Sequence, residues 1–173
     1  SHELKTPLAV VGEAGSQLAD ELPGKLGDDQ KKLVSMIQRT TTRMTRIVTD
    51  LLDLAKIEAG KLQLEPESFN LAQLMRDARS NLQSRAHEKE ISLPEEFSNE
   101  ELTVCLDADK IHQVVTNLLS NAVKFTEQGY VKMGFREDGD KVECFVEDSG
   151  KGIPQESVEK LFNKFEQFGK PQK

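Results

Sequence analysis

Apolar residues in the first third of the chain return every three or four positions. Leu4, Leu8, Val11, Gly15, Leu18 and Leu22 keep this rhythm, and Leu33, Ile37, Thr40, Met44, Ile47, Leu51 and Leu54 resume it. A repeat near 3.5 residues is the pattern of helices that supercoil around one another. Between the two runs, Pro23-Gly24 breaks the helix, and a loop leads to Asp28, a residue type suited to an N-cap. Two helices joined by a short loop make a hairpin, and a lone hairpin leaves much of its seam wet. The pattern therefore predicts a homodimer whose paired hairpins form a four-helix bundle.

The rhythm stops at "GKLQLEP", Gly60 to Pro66, which reads as a linker, and the pattern turns to mixed helix and strand. "SFNLAQLMRDARSNLQSRAHEK" predicts one helix with Leu71, Leu74, Met75, Ala78 and Leu82 on a single face. "ISL" and "LTVCL" read as short strands. Asp107 is placed to cap a further helix through about Lys124, in which Ile111, Val114, Val115, Leu118, Leu119 and Ala122 make a broad apolar arc. "YVKMGFREDGDKVECFVED" alternates on both sides of an Asp-Gly turn and predicts a β-hairpin. The fold class is α+β: a helical hairpin over 1–62, a linker over 63–68 and a mixed domain over 69–173.

Charge removes one class of function. With a formal net charge of -7, the chain has no basic surplus to displace counterions from nucleic acid. No apolar run approaches the roughly 20 residues needed to span a bilayer, and no signal peptide is visible, so no membrane contact is expected of this segment. Cys105 and Cys144 lie far apart in strand-like settings and read as buried free thiols of a reducing compartment.

Three stretches carry candidate chemistry. In "DKIHQVVTNLLSNAVKFT", Asn117 and Asn121 are four apart and stack on one helix face, with Lys124 continuing the stripe. Neutral carboxamide oxygens suit Mg²⁺, which usually keeps waters and substrate phosphates in its shell; the alternative is a solvated polar edge. In "DSGKGIP", Asp148 falls on the alternation face of Val142, Cys144 and Val146, expected to be buried, where an ionised carboxylate needs hydrogen-bond donors. An acceptor-only carboxylate suits an exocyclic amine such as that of adenine. Gly150 and Gly152 permit close ligand approach; a plain glycine turn is the alternative. "SHELKTP" offers an imidazole at His2, an acid at Glu3 and a hydroxyl at Thr6, one helical turn on. A neutral imidazole is a nucleophile near neutral pH, although an exposed surface histidine would look the same. Pro7 lies inside this helix, where it removes a backbone hydrogen bond and predicts a bend. His87 and His112 have no ligand-type neighbours and read as ordinary helix residues.

Taken in order, "SHELKTP", "LLDLAKIEAGKLQLEPESFNLAQL", "NLLSNAVKFT", "DSGKGIP" and "LFNKFEQF" resemble the sensor histidine kinase family of two-component systems. The resemblance covers nearly the whole chain and matches the family's H, N, G1 and F boxes. It implies an α/β sandwich of the histidine-kinase/gyrase type after the hairpin, with ATP and Mg²⁺ as cofactors and a response-regulator receiver domain as partner. It implies His2 as phospho-acceptor, Glu3 as its acidic partner, and Thr6 as the residue that positions water in dephosphorylation. Asn121 resembles the Mg²⁺ ligand, with Asn117, Lys124 and Phe125 near the nucleotide. Asp148 resembles the reader of the adenine amine, beside Gly150, Gly152 and Ile153, while Phe162 and Phe165 match the aromatic box under a mobile lid. The implied reaction passes a phosphoryl group from ATP to His2 and then to a regulator aspartate, in the cytoplasm, with Gly60–Pro66 as the hinge.

The family pattern continues beyond the F box into a second glycine box and further strands, and it begins before the histidine. The sequence running from Ser1 to Lys173 therefore reads as a fragment, with an incomplete ATP domain, an open sheet edge and weak or absent autokinase activity. Gyrase- or chaperone-type ATPases are the first rival; they carry a water-activating Glu where this chain has Asn117. A non-enzymatic dimerisation module is the second.

Overall fold

The computed structural model describes residues 2–158, except the side chains of residues 2–5 and 156. The chain divides into two compact units, Ser1–Gln63 and Leu64–Lys173.

In the first unit, α1 (His2–Ala19) packs against α2 (Asp28–Glu58). Helix α1 runs through Pro7 and ends four residues before Pro23. Glu21 shapes the turn. It takes a positive φ of 56°, pairs with Lys31 at 2.8 Å and accepts the Leu26 N–H at 3.3 Å. These contacts, the Lys31 hydrogen bond first, hold its carboxyl below the usual range. The cap of α2 is Gly27, not Asp28: the Gln30 side chain reaches back to accept the Gly27 N–H at 2.8 Å, and Asp28 sits in the first turn, where its charge suits the helix dipole.

Helix α2 carries two apolar stripes. Val34 and Thr41 are buried on the side facing α1, where Gly15 lies against Gln38. Ile37, Met44, Ile47 and Leu51 belong to the repeat read from sequence, and each is about half exposed. The predicted repeat thus divides: in α1, Gly15 lies in the hairpin's own interface, with Ile37 of α2 at its border, while Met44, Ile47 and Leu51 of α2 keep an uncovered face.

The second unit opens with β1 (Glu67–Asn70), which pairs antiparallel with β4 (Thr103–Leu106). The first two residues of β1, Glu67 and Ser68, fall in the stretch read as linker. The segment read as one helix is a strand and two helices: β1, then α3 (Leu71–Ser80) and α4 (Gln83–Glu88). Asn70 accounts for the strand-to-helix switch. Its side chain accepts the Gln73 N–H at 2.8 Å as N-cap and donates to Glu100 O at 2.8 Å.

The main sheet is built on β5 (Gly129–Asp138). Strands β2 (Ile91–Ser92) and β3 (Glu95–Phe97) run parallel to it, and β6 (Lys141–Asp148) runs antiparallel across the two-residue turn Gly139–Asp140. The register shows that β2 and β3 are one interrupted strand. Ile91 opposes Gly129 and Glu95 opposes Met133, the same offset on both sides of Pro94. Proline has no N–H for the ladder, so the strand breaks there without slipping. On one face, Val131, Met133 and Phe135 of β5 are buried under α3 and α5 (Ala108–Phe125) by Leu71, Met75, Val115, Leu119 and Val123. On the other, the Phe145 ring lies under the Lys132 and Arg136 cations, which pair with Glu96 and Glu147. A short helix, α6 (Gln155–Val158), follows the loop after β6.

Several burial expectations are corrected. Cys105 and Cys144 are both exposed. Cys144 shares the inward face of the β5–β6 ladder, opposite Phe135, yet on β6 it is Val146, two residues on, that packs against the core. Burial still pushes the Cys144 thiol up. Asp148 is exposed too, as the last residue of that strand. The apolar arc of α5 is narrower than the sequence implied: Val115, Leu119, Ala122 and Val123 are buried, while Val114 and Leu118 are about half exposed.

Candidate functional site

The exposed face of α5 begins as a consequence of its cap. Asp107 accepts the Lys110 N–H at 3.0 Å and, through its other oxygen, the Glu65 N–H at 3.0 Å. These two bonds hold its carboxyl below the usual range. They fix where the helix starts and hence which side chains turn outward. With Val115 and Leu119 locked into the core, Asn117 and Asn121 fall on the outer face, both exposed, one turn apart. Val114, Leu118 and Phe125 flank them as exposed apolar surface. A face that mixes carboxamides with exposed aliphatic and aromatic groups suits a ligand with both polar and flat apolar parts.

The loop after β6 closes on the carboxyl end of this helix. Gly150 is the contact point. A methyl group on it would lie 2.7 Å from Asp148 Oδ1 and 2.9 Å from the Phe125 carbonyl oxygen, so only glycine fits. The Gly150 N–H donates to Asp148 Oδ1 at 2.9 Å, leaving Asp148 Oδ2 without a hydrogen bond among the described residues. Ser149 ties the loop to β5: the Tyr130 N–H donates to its Oγ at 2.9 Å, and its own N–H donates to Tyr130 O at 3.0 Å. Gly152 follows with φ 67°, in the left-handed region, and Ile153 is about half exposed.

Two cations converge on the same ring. Lys124 Nζ lies 4.7 Å from the Phe125 centroid and Lys151 Nζ lies 5.9 Å from it. Neither has a carboxylate partner among the described residues, in a chain where acids outnumber bases. Two such ammonium groups beside an acceptor-only carboxylate mark a place for a ligand with a negative end and an amine-bearing end. Lys151 went unnoticed in the sequence, although it stands between the two glycines of "DSGKGIP".

The structure thus brings Lys124, Phe125, Asp148, Gly150 and Lys151 together at the carboxyl end of α5, with Asn121 and Asn117 one and two turns back on its exposed side. The expectation that Asp148 is a buried carboxylate fails, and its availability at a strand end takes the place of that argument. His2, Glu3 and Thr6 stand on the first turns of α1; the side chains of His2 and Glu3 are outside the described set, and Thr6 is exposed. Phe162 and Phe165 lie outside the described residues. Among those described, no helix is long and apolar enough to cross a membrane, and no three His, Cys, Asp or Glu cluster as metal ligands.

A helical hairpin opening on "SHELKTP", followed by an α/β unit with this helix-and-glycine-loop site, defines the class of ATP-dependent histidine kinases. Two family models match accordingly. The His Kinase A (phospho-acceptor) domain covers residues 1–60, and the histidine kinase-, DNA gyrase B- and HSP90-like ATPase covers residues 106–173. The sensor histidine kinase RcsC of Escherichia coli (strain K12) is 36% identical over 172 residues, which is 98% of this chain and 18% of RcsC. Full-length ShkA in complex with AMPPNP superposes with a TM-score of 0.78 at 29% identity, covering 96% of this chain and 35% of that one. The catalytic domain of the histidine kinase ThkA gives 0.56 at 33% identity, covering 58% of this chain and 69% of that one. ThkA in complex with the response regulator protein TrrA gives 0.62 at 28% identity, covering 96% of this chain and 48% of that one. The chain belongs to the sensor histidine kinases of two-component systems.

Proposed function

We propose that this chain binds ATP at the carboxyl end of α5, accepts its γ-phosphoryl group on His2, and passes it to an aspartate of a response-regulator receiver domain. The observation that carries the reading is the meeting of Lys124, Phe125 and Lys151 with Asp148 and Gly150 at the end of a helix whose exposed side bears Asn121 and Asn117. The AMPPNP bound by ShkA and the regulator bound by ThkA support it.

The roles follow from the chemistry of each group. Asp148 accepts a hydrogen bond from the adenine amine through its open oxygen. Gly150 and Gly152 leave room for the ligand beside the strand end, with Ile153 and Phe125 as apolar surface. Lys124 and Lys151 face the phosphates. Asn121 would hold Mg²⁺, with Asn117 beside it. With no carboxylate cluster among the described residues, a divalent ion here would take most of its shell from phosphates and water, which suits Mg²⁺. When bound, that ion neutralises phosphate charge. Catalysis is otherwise positioning. The His2 imidazole supplies the nucleophile, Glu3 its proton acceptor, and Thr6 orients water in the reverse hydrolysis. Phe162 and Phe165 are assigned to the lid by resemblance alone.

The half-exposed stripe of α2 is assigned to a second copy of the chain, forming a four-helix bundle. The hinge between the two units is assigned to Gly60–Pro66, and more narrowly to Gly60–Leu64, because Glu65 is bonded to Asp107 and β1 starts at Glu67. An ATP-fed relay of this kind operates in the cytoplasm. The ATPase rival lacks a base, since Asn117 occupies the position of the water-activating Glu.

The test is transfer of label from γ-labelled ATP. Label taken up by the chain, at whatever rate, is acid-labile and sits on His2, and His2→Gln removes it. Label that persists in His2→Gln contradicts the assignment.

A further inference from the structure

Lys89 lies in none of the boxes. It closes α4, its N–H donating to Ala86 O at 3.1 Å, and the next residue turns the chain into β2 through a positive φ of 56° at Glu90. Its ammonium reaches the far end of α5. There Nζ donates to Val123 O at 2.8 Å, to Thr126 O at 2.9 Å and to Lys124 O at 3.1 Å. An ammonium has three N–H bonds, and all three are used.

The last carbonyls of a helix have no partner within it and carry the negative end of its dipole. In α5 three of the last four have a donor. Ala122 O accepts the Thr126 N–H at 3.0 Å, and Val123 O and Lys124 O are served by Lys89, while the Phe125 carbonyl only abuts Gly150. This same turn bears Lys124 and Phe125, and begins at Asn121. An unneutralised carbonyl end would both fray the turn and repel a polyphosphate.

We propose that Lys89 is a positioning residue of the nucleotide site. It fixes the last turn of α5 in the geometry that presents Asn121, Lys124 and Phe125, and it cancels the negative helix end beside the phosphates. The inference rests on the nucleotide reading given above.

The test compares Lys89→Met and Lys89→Arg with the wild-type chain. In Lys89→Met, amide hydrogen exchange at Phe125 and Thr126 accelerates, and the Kd for AMPPNP rises about tenfold, the scale of losing charge-assisted hydrogen bonds. Adenosine, which has no phosphates, loses clearly less than AMPPNP, because it feels a shift of the last turn through Phe125 and Gly150 but not the uncancelled helix end. Lys89→Arg keeps the charge and recovers part of the loss, since a planar fork cannot serve three convergent carbonyls. Equal AMPPNP affinity in wild type and Lys89→Met overturns the inference alone. Proportionate loss of both ligands together with the far-UV helix signal also overturns it, by reducing Lys89 to a fold stabiliser. A wild-type chain that binds no AMPPNP instead overturns the nucleotide reading, and this inference with it.

Discussion

Gly150 has room for a hydrogen and nothing larger, because Asp148 Oδ1 and the Phe125 carbonyl stand on either side of where a methyl would go. That tightness couples the two halves of the site: the carboxylate at the end of β6 and the aromatic at the end of α5 share one contact. Gly150→Ala must push one of them aside. We expect it to weaken AMPPNP binding at least tenfold while leaving the buried face of β5 intact, since overpacking of this kind costs about 1–3 kcal/mol locally. Titration of the variant, with near-native far-UV circular dichroism as control, checks it; unchanged affinity would mean that the loop and the helix end act separately. The glycine was visible in the sequence as part of "DSGKGIP", but its reason was not. Neither was Lys151, whose role depends on the Phe125 ring, 26 positions earlier in the chain.

Helix α5 is held at both ends by residues outside it. Asp107 caps its start and ties in Glu65; Lys89 closes its end. The cap was plain in the sequence, because a capping residue lies next to the helix it caps. The closing lysine was not, because it lies 34 to 37 residues away from the carbonyls it serves. The same distinction separates right from wrong elsewhere. The β5–β6 hairpin is local and was read correctly. The strand β1 and the start of α3 depend on partners such as Glu100, Leu102 and β4 that periodicity does not register. Asp107 also gives a pH signature. Its folded carboxyl lies below the usual range, so its ionised form stabilises the second unit above about pH 4, and that contribution is lost as pH falls through the lowered value. Asp107→Asn keeps an acceptor but not the charge. Its thermal midpoint should lie a few degrees below wild type near pH 7, and the gap should close as pH falls below about 4. A gap independent of pH would assign the cap no electrostatic part.

The two units divide between Gln63 and Leu64, and the first leaves an apolar face half covered. In the hairpin this is the stripe of Ile37, Met44, Ile47 and Leu51. A half-exposed side chain of this size leaves about 1 kcal/mol of burial unrealised, and a second hairpin recovers it on both sides. Light scattering at micromolar concentration should give twice the chain mass, and Ile37→Glu with Leu51→Glu should give a monomer. A wild-type monomer would remove the bundle from the account. The periodicity revealed this stripe but not how it is shared, since Val34 and Thr41, one position on from Leu33 and Thr40, are the buried residues of α2, and only Ile37 of the stripe comes near Gly15 of α1.

The central claim is that the end of α5 and the loop after β6 form one Mg-nucleotide site. Calorimetric titration of the chain with AMPPNP in the presence of Mg²⁺ tests it most directly. The account predicts saturable binding to wild type, the same affinity for His2→Gln, and at least a tenfold loss for Asn121→Ala, the scale of a lost ligand or charge-assisted hydrogen bond. No binding by wild type, or an Asn121→Ala variant that binds as well as wild type, would contradict it.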